Sequence, residues 1–194
     1  MPQLLPPPML ASQLGRAAHD IGLAGLLGGN LYGRLALHPA VAQISDPAER
    51  GKVVNAAWRS YGTVNSLSLV AVTAGWLGAR AAEASNARLS PAERRLAVTR
   101  DVLLGAVALS GVATAIEGVR FARSAPGGAV PLTDGDTAAS GATDKQAKAK
   151  QRLNVLGLVT LATEMALVGV NAAFNQESFR RPAARRLVSR KLRR

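Results

Sequence analysis

Four long apolar blocks separated by charged connections constrain this chain more than any other feature. They run over about residues 17–37, 61–79, 102–122 and 153–176. A helix rises about 1.5 Å per residue and needs roughly 20 residues to cross a hydrocarbon core ~30 Å thick. Block two carries no charge, and its stretch Leu67 to Leu77 reads LSLVAVTAGWL, apolar on every face. A soluble bundle needs one-sided stripes, so this pattern suits lipid. The blocks therefore predict an all-α fold, a four-transmembrane-helix bundle over 17–179. A proline-rich segment, 1–16, precedes it, and a basic tail, 180–194, follows. The first segment lacks the basic region and cleavage site of a signal peptide, so block one reads as a retained anchor.

The connections differ from one another. Asp46 followed by Pro47 is an N-cap with proline at the first helical position, predicting a short amphipathic surface helix over 47–60 that runs into block two. Ser90-Pro91-Ala92-Glu93 repeats the device as a capping box and predicts a second short surface helix feeding block three. Residues 124–147 are rich in Gly, Ala, Ser, Thr and Asp and read as a mobile loop.

Charge sets the expected orientation. The net charge is +12, much of it in Arg180, Arg181, Arg185, Arg186, Arg190, Lys191, Arg193 and Arg194. The loop between blocks two and three adds Arg80, Arg88, Arg94, Arg95 and Arg100. Lysine and arginine mark cytoplasmic flanks, so both termini are expected in the cytoplasm, with the tail on anionic lipid. No zinc-finger spacing or aromatic ribonucleoprotein motif accompanies the charge, and nucleic acid is not expected as a partner. The Ala- and Arg-rich composition points to a bacterial plasma membrane. With no cysteine, disulfides, iron–sulfur clusters and thiolate zinc sites are excluded.

Small residues recur on two helices. Gly25, Gly29 and Gly33 form a bare stripe on block one, and Ala71, Gly75 and Ala79 a similar one on block two. Such stripes let helices approach closely, either within the bundle or against another subunit.

Polar residues at membrane depth are the candidate functional groups. Arg34 lies roughly 25 Å along block one and Glu117 roughly 22 Å along block three from the cytoplasmic side. Equal depth predicts an Arg34–Glu117 ion pair, with Asn30, Asn65 and Arg120 near that level. Glu164 falls near the midplane, with Ser68, Ser110 and Thr114 as expected neighbours. Asp20 is expected to pair with Arg16, Arg80 or Arg100. His19 and His38 are separated by roughly 28 Å of helix and cannot share one metal or haem. No metal site is expected.

The stretch His19-Asp20-Ile21-Gly22-Leu23-Ala24-Gly25-Leu26-Leu27-Gly28-Gly29, with Leu31-Tyr32-Gly33 and His38-Pro39-Ala40, resembles the first helix of copper-resistance D-type membrane proteins. It is also similar to the anthrone-oxygenase-like four-helix membrane proteins. The resemblance covers about a fifth of the chain and implies His19 as the residue carried over. The remaining sequence lacks the further histidines and methionines that copper handling wants.

These features predict a small membrane accessory or scaffold subunit without catalysis or cofactor of its own, bound to a membrane-protein partner or to copies of itself. The alternatives are a membrane oxidoreductase or quinone-binding protein using Glu164 and His19, and a small transporter lined by Asn30, Arg34, Asn65 and Glu117.

Overall fold

The computed structural model describes residues 7–82 and 84–179. Four long helices dominate it: α1 (Pro7–Tyr32), α2 (Pro47–Ala82), α3 (Pro91–Ala122) and α4 (Asp144–Phe179). Among the described residues there is no strand beyond one isolated bridge, Leu132 to Ala138. The fold is all-α, as the sequence predicts. The tail 180–194, with the arginines and lysine expected to contact lipid, lies outside the described residues.

Local chemistry explains where the helices start. The Asp46 carboxylate accepts from Ala48 N–H at 2.8 Å, capping α2. Ser90 and Glu93 form the reciprocal capping box of α3. Thr143 and Gln146 do the same for α4: Gln146 Oε1 accepts from Thr143 N–H at 2.9 Å, and Thr143 Oγ1 accepts from Gln146 N–H at 3.3 Å. The expected short surface helices are the opening turns of α2 and α3, continuous with the apolar blocks. The expected proline-rich lead-in is also partly helical, since α1 begins at Pro7. Pro39 has no N–H to give, and just before it the chain widens into a π-helical stretch, Gly33–Leu37, closed by His38 N–H on Gly33 O.

The helices run up, down, up and down. Gly25 meets Ser68 and Gly33 meets Trp58, so α1 and α2 are antiparallel. Thr114 meets Thr160 and Glu93 meets Ser178, so α3 and α4 are too. Asn30 reaches Glu164 from α1 to α4, and Trp76 reaches Asp101 from α2 to α3. The bundle is a ring in chain order, with α1 diagonal to α3. Both glycine stripes are filled inside the chain: Gly25, Gly29 and Gly33 face Ser68, Tyr61 and Trp58, and Gly75 faces Gly15 and His19. Ala79 packs on the main core, and Ala71 is half-buried on the same helix.

Two of the four helices are long and apolar enough to cross a membrane, α3 and α4, with mean hydropathy 1.9 and 1.8 in their most apolar windows. Only 6% and 17% of those windows are buried. Composition alone does not extend this to α1 and α2.

The segment read as a mobile loop is built onto the bundle as a cap. Val130 and Leu132 have no exposed surface and join Val41, Val54 and Phe121 in a second core. Gly51 permits this, because a Cβ there would run into the Val130 carbonyl. Arg50 clamps the segment, donating to Ile44 O at 2.6 Å, Thr133 O at 2.9 Å and Leu132 O at 3.3 Å.

Candidate functional site

The buried polar groups fall into three layers. The first lies at the end of the bundle shared by the start of α1 and the close of α4. His19 is 3% exposed, and its Nδ1 meets Val72 O at 2.8 Å. A carbonyl only accepts, so Nδ1 carries the proton and Nε2 is left to accept from Arg100 Nη2, which touches it. Arg100 is 4% exposed and lies flat over the Trp76 ring, 3.9 Å from its centroid. Trp76 donates to Asp101 at 2.7 Å, and Arg80 pairs with the other oxygen of Asp101 at 2.9 Å. Phe174 closes the far wall edge-on to Trp76. His19, Arg100, Trp76 and Phe174 line a cavity of 520 Å³.

The middle layer is a single contact. Asn30 Nδ2 donates to both oxygens of Glu164, at 2.8 and 2.9 Å, and Glu164 is 2% exposed. Of the residues expected around Glu164, Ser110 and Thr114 bond elsewhere, and Ser68 packs against Gly25. Thr114 joins Thr160 at 3.2 Å, and Ser110 returns to Val107 O. The Asn65 Oδ1 is buried without a partner.

The third layer lies under the cap. His38 Nδ1 meets Asp136 Oδ1 at 3.0 Å, and Trp58 Nε1–H donates to His38 Nε2 at 3.0 Å. Trp58 fixes the tautomer, so His38 donates through Nδ1 to the carboxylate. Gly135 N–H bonds His38 O at 2.9 Å, and a side chain at Gly135 would strike His38. Arg34 joins Asp136 at 3.7 Å and donates to Asn154 O at 3.3 Å. Burial pushes the His38 imidazole below its usual range, Lys150 pushes the same way, and Asp136 opposes. Lys150 is 5% exposed, in the turn before the apolar stretch that starts at Leu153. Burial drives its amine down to about 8, against Asp136.

These positions correct one expectation. Arg34 does not pair with Glu117: its carboxylate is Asp136, and Glu117 pairs with exposed Arg120 at 3.8 Å. Equal depth failed as a guide because Arg34 turns to the cap and α4, where Asp136 and Asn154 O engage it, and Glu117 turns along its own helix to Arg120. Of the arginines expected beside Asp20, Arg80 is held by Asp101 and Arg100 feels the Asp20 charge, while Asp20 itself accepts from Asn171 at 3.3 Å. The polar candidates thus divide: His19 and Asp20 line the first layer, Asn30 and Glu164 make the middle one, and Arg34 joins the third. Sequence reasoning missed Arg100 with Trp76 as a centre, and Asp136 with Trp58. The signal for Asp136 was present in Asp134-Gly135-Asp136, whose first carboxylate turns the chain by accepting from Asp136 N–H and Thr137 N–H.

No family model, no curated protein and no solved structure matches this chain.

Proposed function

We propose that the chain is a four-crossing membrane protein of the bacterial plasma membrane, with both termini cytoplasmic, acting as an accessory or scaffold subunit without catalysis of its own. The carrying observation is the exposure of α3 and α4. Their most apolar windows are only 6% and 17% buried, whereas the core helix of a soluble protein hides such a surface. Leu109, Val112, Ile116, Val155 and Leu158 stand out from the bundle.

Two features extend the reading to α1 and α2. All four helices run between the same two ends, because Trp76 and His19 meet α3 at one end while Pro47 and His38 bond the cap at the other. The two end layers are 21 positions apart on α3 (Arg100 to Phe121) and 19 apart along α1 and the π-helical stretch that continues it (His19 to His38), about 28–31 Å at helical rise. That matches a ~30 Å hydrocarbon core. The scaffold reading draws on the tethering of the polar groups: Glu164 is held by Asn30, His38 by Trp58 and Asp136, and Asp101 by Trp76 and Arg80.

Reporters test the crossings. One at Asn86 should appear in the cytoplasm, and ones at Ser45 and Gly141 outside it. Ser45 on the Asn86 side would leave only α3 and α4 crossing and would sink the four-crossing reading. Purification of the full chain in mild detergent should bring a stoichiometric membrane partner. Recovery of a lone monomer would remove the accessory role.

A further inference from the structure

We propose that the cavity around Arg100 is the headgroup site for an anionic membrane lipid whose acyl chain lies in the adjoining groove on α1. Arg100 is the anchor. Its side chain is almost fully buried and, among the described residues, joins no ion pair: Nη2 meets the His19 ring and Nε has no hydrogen-bond partner. Of the described acids nearby, Asp101 is engaged by Trp76 and Arg80, and Asp20 accepts from Asn171; both act on Arg100 only from a distance. The stacking on Trp76 offsets part of the desolvation cost, but a buried cation with no described counterion in contact is expensive. An anion entering the cavity supplies the missing partner, and hydrogen bonds from a guanidinium to an anion are among the strong ones.

The groove says what kind of anion. A second cavity of 410 Å³ shares Asp20 and Asn171 with the first and continues along the bundle. Its walls are Leu23, Leu27 and Leu31, one above another on α1, with Val168 on α4. They cover about 12 Å of helix length. The polar space therefore opens into an apolar trough pointing from the end layer toward the middle of the bundle. A free anion leaves that trough empty, while an amphiphile fills both parts. Asp20 at the junction disfavours a second negative charge beside it, so a monoanionic phosphodiester fits better than a dianionic phosphate.

The proposal rests on the membrane reading, which places the trough in the hydrocarbon. Its test is separate from the reporters above. The full chain carries two tryptophans, so a Trp58→Phe background leaves Trp76, in the cavity wall, as the fluorophore. The purified protein in non-ionic detergent is titrated with dioctanoyl-phosphatidylglycerol, dioctanoyl-phosphatidylcholine and inorganic phosphate. Phosphatidylglycerol should give a saturable change in Trp76 emission at a midpoint at least tenfold below that of phosphatidylcholine. Phosphate should give none. Arg100→Gln should raise the phosphatidylglycerol midpoint at least tenfold, and Leu27→Gln should weaken it with Arg100 intact. Variants are compared only where their elution and melting match the parent, and Arg100→Lys, which keeps the charge, should retain part of the preference. Saturation by phosphate alone would overturn the lipid and leave a free-anion site. Equal midpoints for the two lipids, or an unchanged midpoint in Arg100→Gln, would overturn the role of the guanidinium. None of these results alters the four crossings, and a two-crossing reporter pattern would not alter the titration.

Discussion

Removing the Asp136 carboxylate should unlock the cap from the bundle, and the structure gives the size of the effect. In Asp136→Ala, His38 Nδ1–H loses its only acceptor while the ring stays 5% exposed. The imidazole cannot escape by moving its proton to Nε2, because Trp58 donates there. A buried donor left unpaired costs about 1–3 kcal/mol. The pair with Arg34, at 3.7 Å and partly exposed, adds roughly 0–1 kcal/mol. The total is about 2 kcal/mol, mostly from His38. Asp136→Asn keeps an acceptor for Nδ1–H and should recover all but the ion-pair part. Glu117→Ala removes only a contact to exposed Arg120 and should cost ~0.5 kcal/mol or less. The assay is equilibrium unfolding in mild detergent, followed by tryptophan fluorescence, with Arg34→Leu combined with each change. Arg34→Leu should be non-additive with Asp136→Ala and additive with Glu117→Ala. The reasoning fails if Asp136→Ala is as mild as Glu117→Ala, or if the asparagine is as damaging as the alanine.

Other expectations follow from the same layers. Burial holds the His38 pKa below 6.5, so the unfolded chain takes up a proton first as pH falls. The His38 contribution to stability should be full above pH 6.5 and decline below it until the folded pKa is passed, so melting curves of His38→Gln should show a smaller decline than wild type. Lys150, lowered to about 8, holds its proton less tightly folded than unfolded, so wild type should gain stability between pH 8 and 10.5. Lys150→Met, measured by denaturant titration at pH 7, should be more stable by about 1–3 kcal/mol and lose the rise. Gly29→Ala would force its new methyl into the Tyr61 ring and should cost about 1–3 kcal/mol, while Gly28→Ala, facing open space, should be neutral or gain ~0.5 kcal/mol in thermal melts.

What the sequence made legible was local. Asp46, Ser90 and Glu93 announced helix starts because capping needs only residues within three positions. The glycine stripe on α1 announced a close approach, and Tyr61 and Trp58 fill it. The cap was not legible. Residues 124–143 carry few apolar side chains, and composition says nothing of where those few go. Two of them, Val130 and Leu132, reach a pocket opened by Gly51, on a different helix some 80 positions earlier. Thr143 and Gln146 carried a readable capping box that the compositional reading of the loop passed over.

The polar candidates show why depth alone is a poor guide to partnership. Depth fixes one coordinate of a side chain, and the order of helices around the ring fixes the other. Arg34 and Glu117 share the first and not the second. Asn30 and Glu164 share both, since α1 and α4 are neighbours, and Asn30 turns its amide on both oxygens of the acid. That contact ties the first helix to the last at mid-height, between two end layers that already fasten α1 to α3 through Arg100 and to the cap through His38. The first helix is thus held at three heights by polar groups. Leu23 and Leu26 add apolar contacts in the main core, and glycines on the face toward α2 let the two helices approach closely. A helix built this way gains its specificity of position from a few buried hydrogen bonds, and a change at Asn30, His19 or His38 acts on the placement of the whole helix.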